Sequence, residues 1–160
     1  VTERVALGII YLDTSALVKR YVSEPGSHWL NTMSDPKAGR TIATALVTWA
    51  EAAAAFARKY REGHLLSTDY AGILKDLAHD FVHEYVIVEV DQVLVQLAVD
   101  LTMRRKLRGY DAVQLAAALM LNEMLINDRF TPLTFIAADD DLLEAARDEG
   151  LLVDDTNDHL

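Results

Sequence analysis

Four acidic residues stand in apolar stretches of this sequence, where a solvated carboxylate is not expected. Asp13 ends the run Ile9-Ile10-Tyr11-Leu12, and Asp139 follows Phe135-Ile136-Ala137-Ala138. Glu51 lies within Thr48-Trp49-Ala50-Glu51-Ala52-Ala53-Ala54-Ala55, and Asp111 within Gly109-Tyr110-Asp111-Ala112-Val113-Gln114-Leu115-Ala116. A carboxylate in apolar surroundings is costly unless it is paired or bound to a metal. No basic residue lies within four positions of Glu51, and none within two of Asp111. Acids gathered in one cleft repel one another, and a divalent cation relieves that repulsion. Oxygen-only ligands suit Mg²⁺ or Mn²⁺ rather than Zn²⁺ or Cu²⁺. Such a cluster can activate water and neutralise phosphate oxygens during phosphodiester cleavage. Singly, each acid has a plainer reading. Asp13 and Asp139 can cap helices, and Glu51 can be a solvated helical residue. Asp111 suits a first helical turn, where the dipole favours negative charge by about 0.3–1 kcal/mol.

The elements that must position these acids are legible as alternating strands and helices. Ile9–Leu12 reads as a buried strand, and Asp13-Thr14-Ser15 supplies cap chemistry for a short helix over Ala16–Val22. Pro25-Gly26 breaks the chain, and Ser27 is expected to cap a second short helix holding Trp29 and Leu30. Thr41–Ala45 reads as a strand, and Leu46–Glu62 as a helix ended by Gly63. Ser67 begins a helix whose inner face carries Tyr70, Ile73, Leu74, Leu77 and Phe81. Tyr85–Val90 is a strand run, and Asp91 caps a helix facing inward through Leu94, Leu97, Ala98 and Leu101. After Gly109, Tyr110–Met124 is apolar nearly all round and predicts a buried helix. Leu133–Ala137 is a fourth strand. Asp141 and Glu144 have capping-box spacing for a last helix before Gly150. Leu151–Val153 is a short fifth strand, and the acidic tail 154–160 is expected to fray. The alternation predicts an α/β three-layer fold with a mainly parallel sheet of about five strands. In such sheets ligands bind beyond the carboxyl ends of the strands, where Asp13 and Asp139 fall.

Composition bounds the function. The chain has 160 residues, which predicts a single domain over 1–160 large enough for its own core. Hydrophobic residues make up 51% and charged residues 25%, which argues against whole-chain disorder. The absence of cysteine excludes disulfides, cysteine-ligated metals and a thiol nucleophile. No stretch reaches the ~18 apolar residues of a membrane span. The apolar run from Val5 to Leu12 has no small-residue cleavage site after it, so a cytoplasmic protein is expected. Net charge is −10, and the segment from Ala137 to Leu160 holds nine acids against one base. The body is therefore nearly neutral, and global charge argues against non-specific nucleic-acid binding. Local basic groups remain. Arg104, Arg105, Lys106 and Arg108 precede Asp111, Arg58, Lys59 and Arg61 follow Glu51, and Lys19 and Arg20 follow Asp13.

Taken together, these segments resemble PIN-domain ribonucleases, and among them the VapC-like toxins of bacterial and archaeal type II toxin–antitoxin modules. The resemblance is carried by Tyr11-Leu12-Asp13-Thr14-Ser15-Ala16-Leu17, by Glu51, by Arg108 to Ala116, and by Phe135 to Asp139 followed by Asp141-Leu142-Leu143. In order and spacing it spans residues 9 to 153. It implies a sheet of order 3-2-1-4-5 and an acidic metal site made by Asp13, Glu51, Asp111 and Asp139. Asp13 and Asp111 would hold the principal Mg²⁺ or Mn²⁺. Glu51 and Asp139 would complete its shell through water, orient the attacking water or help hold a second ion. Ser15 matches a hydroxyl residue expected to hydrogen-bond the first acid. The implied activity is hydrolysis of RNA of the tRNA or rRNA class, with Arg104, Arg105 and Arg108 as candidate RNA contacts. The implied partners are a second copy of the chain and a small antitoxin that silences it, for which Pro25-Gly26 and the Trp29 helix are candidate docking places.

Other readings are weighed on the same residues. His79 and His83 share one helical face with Asp80 between them, a pattern close to a zinc-protease motif, but aspartate replaces glutamate and no third ligand is evident. A phospho-receiver-like signalling module wants paired acids after the first strand and a lysine after the fifth, and both are missing. A PIN-like scaffold without catalysis is the remaining alternative. No glycine-rich phosphate loop supports nucleotide-triphosphate hydrolysis.

Overall fold

The computed structural model describes residues 8–160, so the start of the apolar run at Val5 lies outside the described residues. Five strands form one parallel sheet: β1 (Ile9–Leu12), β2 (Thr41–Ala45), β3 (Val86–Val88), β4 (Thr134–Ala137) and β5 (Leu152–Asp155). Their order is β3-β2-β1-β4-β5, as the resemblance implies. β1 is central, with Tyr11 opposite Ala43 on one side and Phe135 on the other.

Seven helices flank the sheet among the described residues: α1 (Thr14–Leu17), α2 (Ser27–Met33), α3 (Val47–Arg61), α4 (Ser67–His83), α5 (Gln92–Arg104), α6 (Gly109–Asn127) and α7 (Asp140–Asp148). They divide between the two faces because β1 is apolar at every position and side chains alternate along a strand. Ile9 and Tyr11 join one core with Leu94, Leu101, Leu115, Phe135 and Leu142, under α5, α6 and α7. Ile10 and Leu12 join a second core with Leu17, Leu30, Phe56, Leu77 and Phe81, under α1 to α4. A sheet buried on both faces is the middle layer of three, as the alternation of strands and helices predicts.

Most expected elements stand within two residues of their predicted limits, and the exceptions have local causes. Helix α1 gives way at Val18–Arg20 to a 3₁₀ turn, so the expected single helix to Val22 is in two parts. Gly26, not Ser27, is the cap residue of α2, at φ +89°. The Ser27 hydroxyl instead donates to Val22 O and accepts from Glu24 N. Strand β3 is shorter than Tyr85–Val90: Tyr85 turns its ring onto Phe81 and its hydroxyl to Arg20 and Tyr21. Helix α6 is buried along Ala112 and Gln114–Ala118, but Tyr110 and Met124 are exposed.

The acidic tail is ordered rather than frayed. β5 continues through Asp154 and Asp155, which pair with Ile136 and Ala137. Thr156–Asp158 forms a 3₁₀ turn with Thr156 fully buried. The His159 ring then stacks on Trp29 at 3.8 Å and binds Asp154 at 2.8 Å. Backbone pairing and this stack hold the segment against its own charge. Gly26 is buried against Thr156 and Trp29 is half-buried beneath His159, while Pro25 beside them is exposed.

Candidate functional site

The carboxyl ends of β1 and β4 adjoin, and each feeds a helix through an acid. Asp13 caps α1 by accepting from Ala16 N at 3.0 Å. Asp139 caps α7 by accepting from Leu142 N at 2.9 Å. This corrects the capping reading of Asp141, which lies in the first turn of α7. The strand ends at Ala137, so Asp139 is the last residue with extended backbone and takes the cap position. Asp111 is the third residue of α6, in the turn that follows the cap residue Arg108. Glu51 sits in the second turn of α3.

Asp13 is the deepest of the acids, only 4% exposed. The Ser15 hydroxyl lies 2.7 and 2.9 Å from its two oxygens, and accepts from Ala138 N at 2.9 Å. One serine thus ties the end of β1 to the end of β4. Burial pushes the Asp13 carboxyl up to about 7, against the pull of the Ser15 and Ala16 hydrogen bonds, and Asp111 adds to the rise. Burial also raises Glu51, opposed by hydrogen bonds from Gln114 and Thr14 and reinforced by Asp111. Asp111 is raised by burial and then by Asp139, while the charge and backbone N–H of Arg108 hold it down. The four acids are therefore neighbours in one electrostatic field.

They do not share one hole. Asp111 and Asp139 line a cleft of about 490 Å³ with Asp141, Arg105, Lys106 and Arg108. Glu51 lines a more apolar cleft with Val47, Gly109, Tyr110 and Val113. The first turn of α6 is common to both. Among the described residues, no three acidic or histidine side chains converge as a ready-made metal chelate. The donor set nevertheless fits a hard cation: it is oxygen only, and Asp13 is a buried carboxylate with no salt-bridge partner among the described residues. Mg²⁺ in particular retains several waters and needs only one or two direct carboxylates.

The basic groups divide as well. Glu149 accepts from Arg104 at 2.7 Å and from Arg105 at 2.7 and 3.0 Å, and Asp148 lies 3.6 Å from Arg105. Those two arginines are largely neutralised. Lys106 and Arg108 make no ion pair among the described residues and border the acidic cleft. Elsewhere Lys59 pairs with Glu24, Lys19 donates to Pro25 O, and Arg20 lies against Asp80. His79 and His83 are exposed neighbours on α4, and no metal-holding group of three includes them.

Sequence reading missed a polar knot beneath the clefts. The Gln114 amide accepts from the Tyr11 hydroxyl at 2.7 Å and donates toward Thr48 at 2.8 Å, Glu51 at 3.0 Å and Thr14 at 3.2 Å. The available signal was a glutamine inside Ala112-Val113-Gln114-Leu115-Ala116, one helical turn after Asp111.

No family model and no curated protein sequence matches the chain. Solved structures do match its fold. PAE2754 from Pyrobaculum aerophilum superposes with a TM-score of 0.60 at 17% identity, over 92% of this chain and 84% of that one. VapBC2 from Rickettsia felis, bound to a DNA fragment from its promoter, gives a TM-score of 0.60 at 14% identity, over 92% and 98%. A toxin–antitoxin complex from Klebsiella pneumoniae gives 0.51 at 20% identity, over 82% and 88%. At these identities the likeness is one of fold.

Proposed function

We propose that this chain is the toxin of a toxin–antitoxin pair and acts as a metal-dependent endoribonuclease. The observation that carries the reading is Asp13: a buried carboxylate at the carboxyl end of the central strand, with no cationic partner among the described residues and coupled to Asp111. Its fold neighbours include toxin–antitoxin complexes, which supports the pairing with an antitoxin.

In this reading Asp13 and Asp111 would hold Mg²⁺ or Mn²⁺, with Glu51 and Asp139 as further oxygen donors. The ion, when bound, lowers the pKa of water and neutralises charge on the phosphate. The chain's own groups do the rest. Ser15 fixes the Asp13 carboxylate and ties it to the β4 turn. Glu51 would orient the attacking water. Lys106 and Arg108 lie beside the acids, where they offset repulsion between an RNA phosphate and the carboxylates. Arg104 and Arg105 are held by Glu149, which weakens their charge toward RNA. An antitoxin arginine or lysine entering the cleft would satisfy the same carboxylates and exclude both metal and RNA. The expected setting is cytoplasmic, with a homodimer acting on tRNA or rRNA.

A second reading, a PIN-like binding scaffold, is favoured by the lack of three converging ligands among the described residues. One experiment separates the two. The protein, freed of any antitoxin, is incubated with total tRNA and rRNA in Mg²⁺, Mn²⁺ or EDTA, beside Asp13→Asn. Discrete cuts that require metal and are lost in the folded variant support the nuclease. Full activity of Asp13→Asn sinks the assigned role of Asp13, and absence of both cutting and Mn²⁺ binding favours the scaffold.

A further inference from the structure

We infer that Gln114 is a positioning residue that sets where the Glu51 carboxylate sits relative to Asp13 and Asp111. The inference deepens the nuclease reading and rests on it for its consequence in catalysis.

Gln114 is 2% exposed, and a buried amide must be hydrogen-bonded at both ends. Its oxygen is taken by the Tyr11 hydroxyl at 2.7 Å. That contact orients the amide, so its nitrogen faces Thr48 and Glu51. The partners are not scattered. Tyr11 lies two residues before Asp13 and Thr14 one residue after it; Thr48 is one helical turn before Glu51; Gln114 itself is one turn after Asp111. One side chain therefore touches every segment that carries these three acids.

The need for such a brace follows from electrostatics. Glu51 has three rotatable side-chain bonds, is partly exposed, and sits in the field of Asp111, which repels it. Left alone, its carboxylate would swing outward over the apolar cleft of Val47, Tyr110 and Val113. An N–H donor rooted in α6 and locked by β1 holds it inward instead. No basic side chain does so among the described residues, since no salt bridge to Glu51 is present among them. A neutral amide can restrain the carboxylate without cancelling the charge that a cation needs.

The test uses the full chain and Mn²⁺ alone as the probe. Gln114→Met keeps the side chain's length and removes both polar ends. In the wild-type background it should weaken Mn²⁺ binding by about tenfold, the scale of removing a group that orients a metal ligand. It should also lower kcat with little change in KM for RNA. In a Glu51→Ala background the same change should do nothing further to either quantity. A loss of equal size in both backgrounds overturns the inference, because Gln114 would then act on the fold at large. Tyr11→Phe, which removes only the orienting hydroxyl, should give a smaller loss of the same kind and serves if Gln114→Met does not fold. Independently of metal, the Gln114 side-chain N–H resonances should shift in Glu51→Ala. If they do not respond, Gln114 does not hold Glu51, whatever the Mn²⁺ data show. If they respond while wild-type protein binds no Mn²⁺, the nuclease reading fails and the positioning of Glu51 stands.

Discussion

With its carboxyl pushed up to about 7 chiefly by burial, Asp13 makes stability depend on pH. The folded chain keeps the Asp13 proton up to that pH, whereas the unfolded chain releases it near the ordinary aspartate value of 3.8. Between the two the folded state binds more protons, so the Asp13 contribution falls as pH rises through this window and stays low above it. Asp13→Asn removes the titration and keeps a cap-competent side chain. In EDTA the variant should therefore be more stable than wild type above pH 7, by about 4 kcal/mol, and close to it near pH 4. Thermal denaturation across pH 4–8 checks this, and parallel curves would show that no such burial cost exists. At this scale the sequence exposes a charge in the wrong company: Asp13, Glu51 and Asp111 stand out among apolar neighbours. It does not expose hydrogen-bond partners brought from afar, so Gln114 passed as one more residue of an alanine-rich helix. The misassigned helix cap has the same root, since Asp139 and Asp141 both suit a helix start and only the backbone at the strand end decides.

Elements meet tightly in two places that sequence periodicity does not describe. Gly26 caps α2 at φ +89°, and a Cβ there would lie 2.4 Å from the Thr156 carbonyl. Gly26→Ala should cost on the order of 2–4 kcal/mol from left-handed strain and overpacking together. A chemical denaturation midpoint reads this directly, and an unchanged midpoint would mean that the C-terminal turn does not pack there in solution. The other place joins the end of α5 to the end of α7, where Glu149 holds Arg104 and Arg105. Glu149→Ala releases both guanidinium groups next to the acidic cleft. If they then reach single-stranded RNA, the plot of log affinity against log salt should steepen by up to about 1.4, or 0.7 per added phosphate contact. An unchanged slope would show that the pair lies out of reach of the RNA. Sequence identified these arginines as a basic group, and the ion pairs across some forty residues were invisible to it.

For the whole molecule, the alternation of strand and helix was enough to predict a buried parallel sheet, because a run such as Ile9–Leu12 leaves no face for water. The strand order came from the resemblance rather than from any periodicity, and no local pattern predicts that an acidic end will pair as β5. Central β1, flanked on both sides and covered on both faces, should be the last part to open. Native-state hydrogen exchange should find its amides among the slowest, with the edge strands β3 and β5 exchanging sooner. Equal protection across the sheet would contradict this ranking.

The bond from Ala138 N to Ser15 spans 123 residues of chain, and β1 has its β4 neighbour only across the same interval. On a ribosome adding about 5–20 residues per second, the acids near Asp13 wait several seconds or more for β4 to be made. Until then half of the cleft has no wall. Whatever activity the cleft carries is thus delayed until β4 has been made.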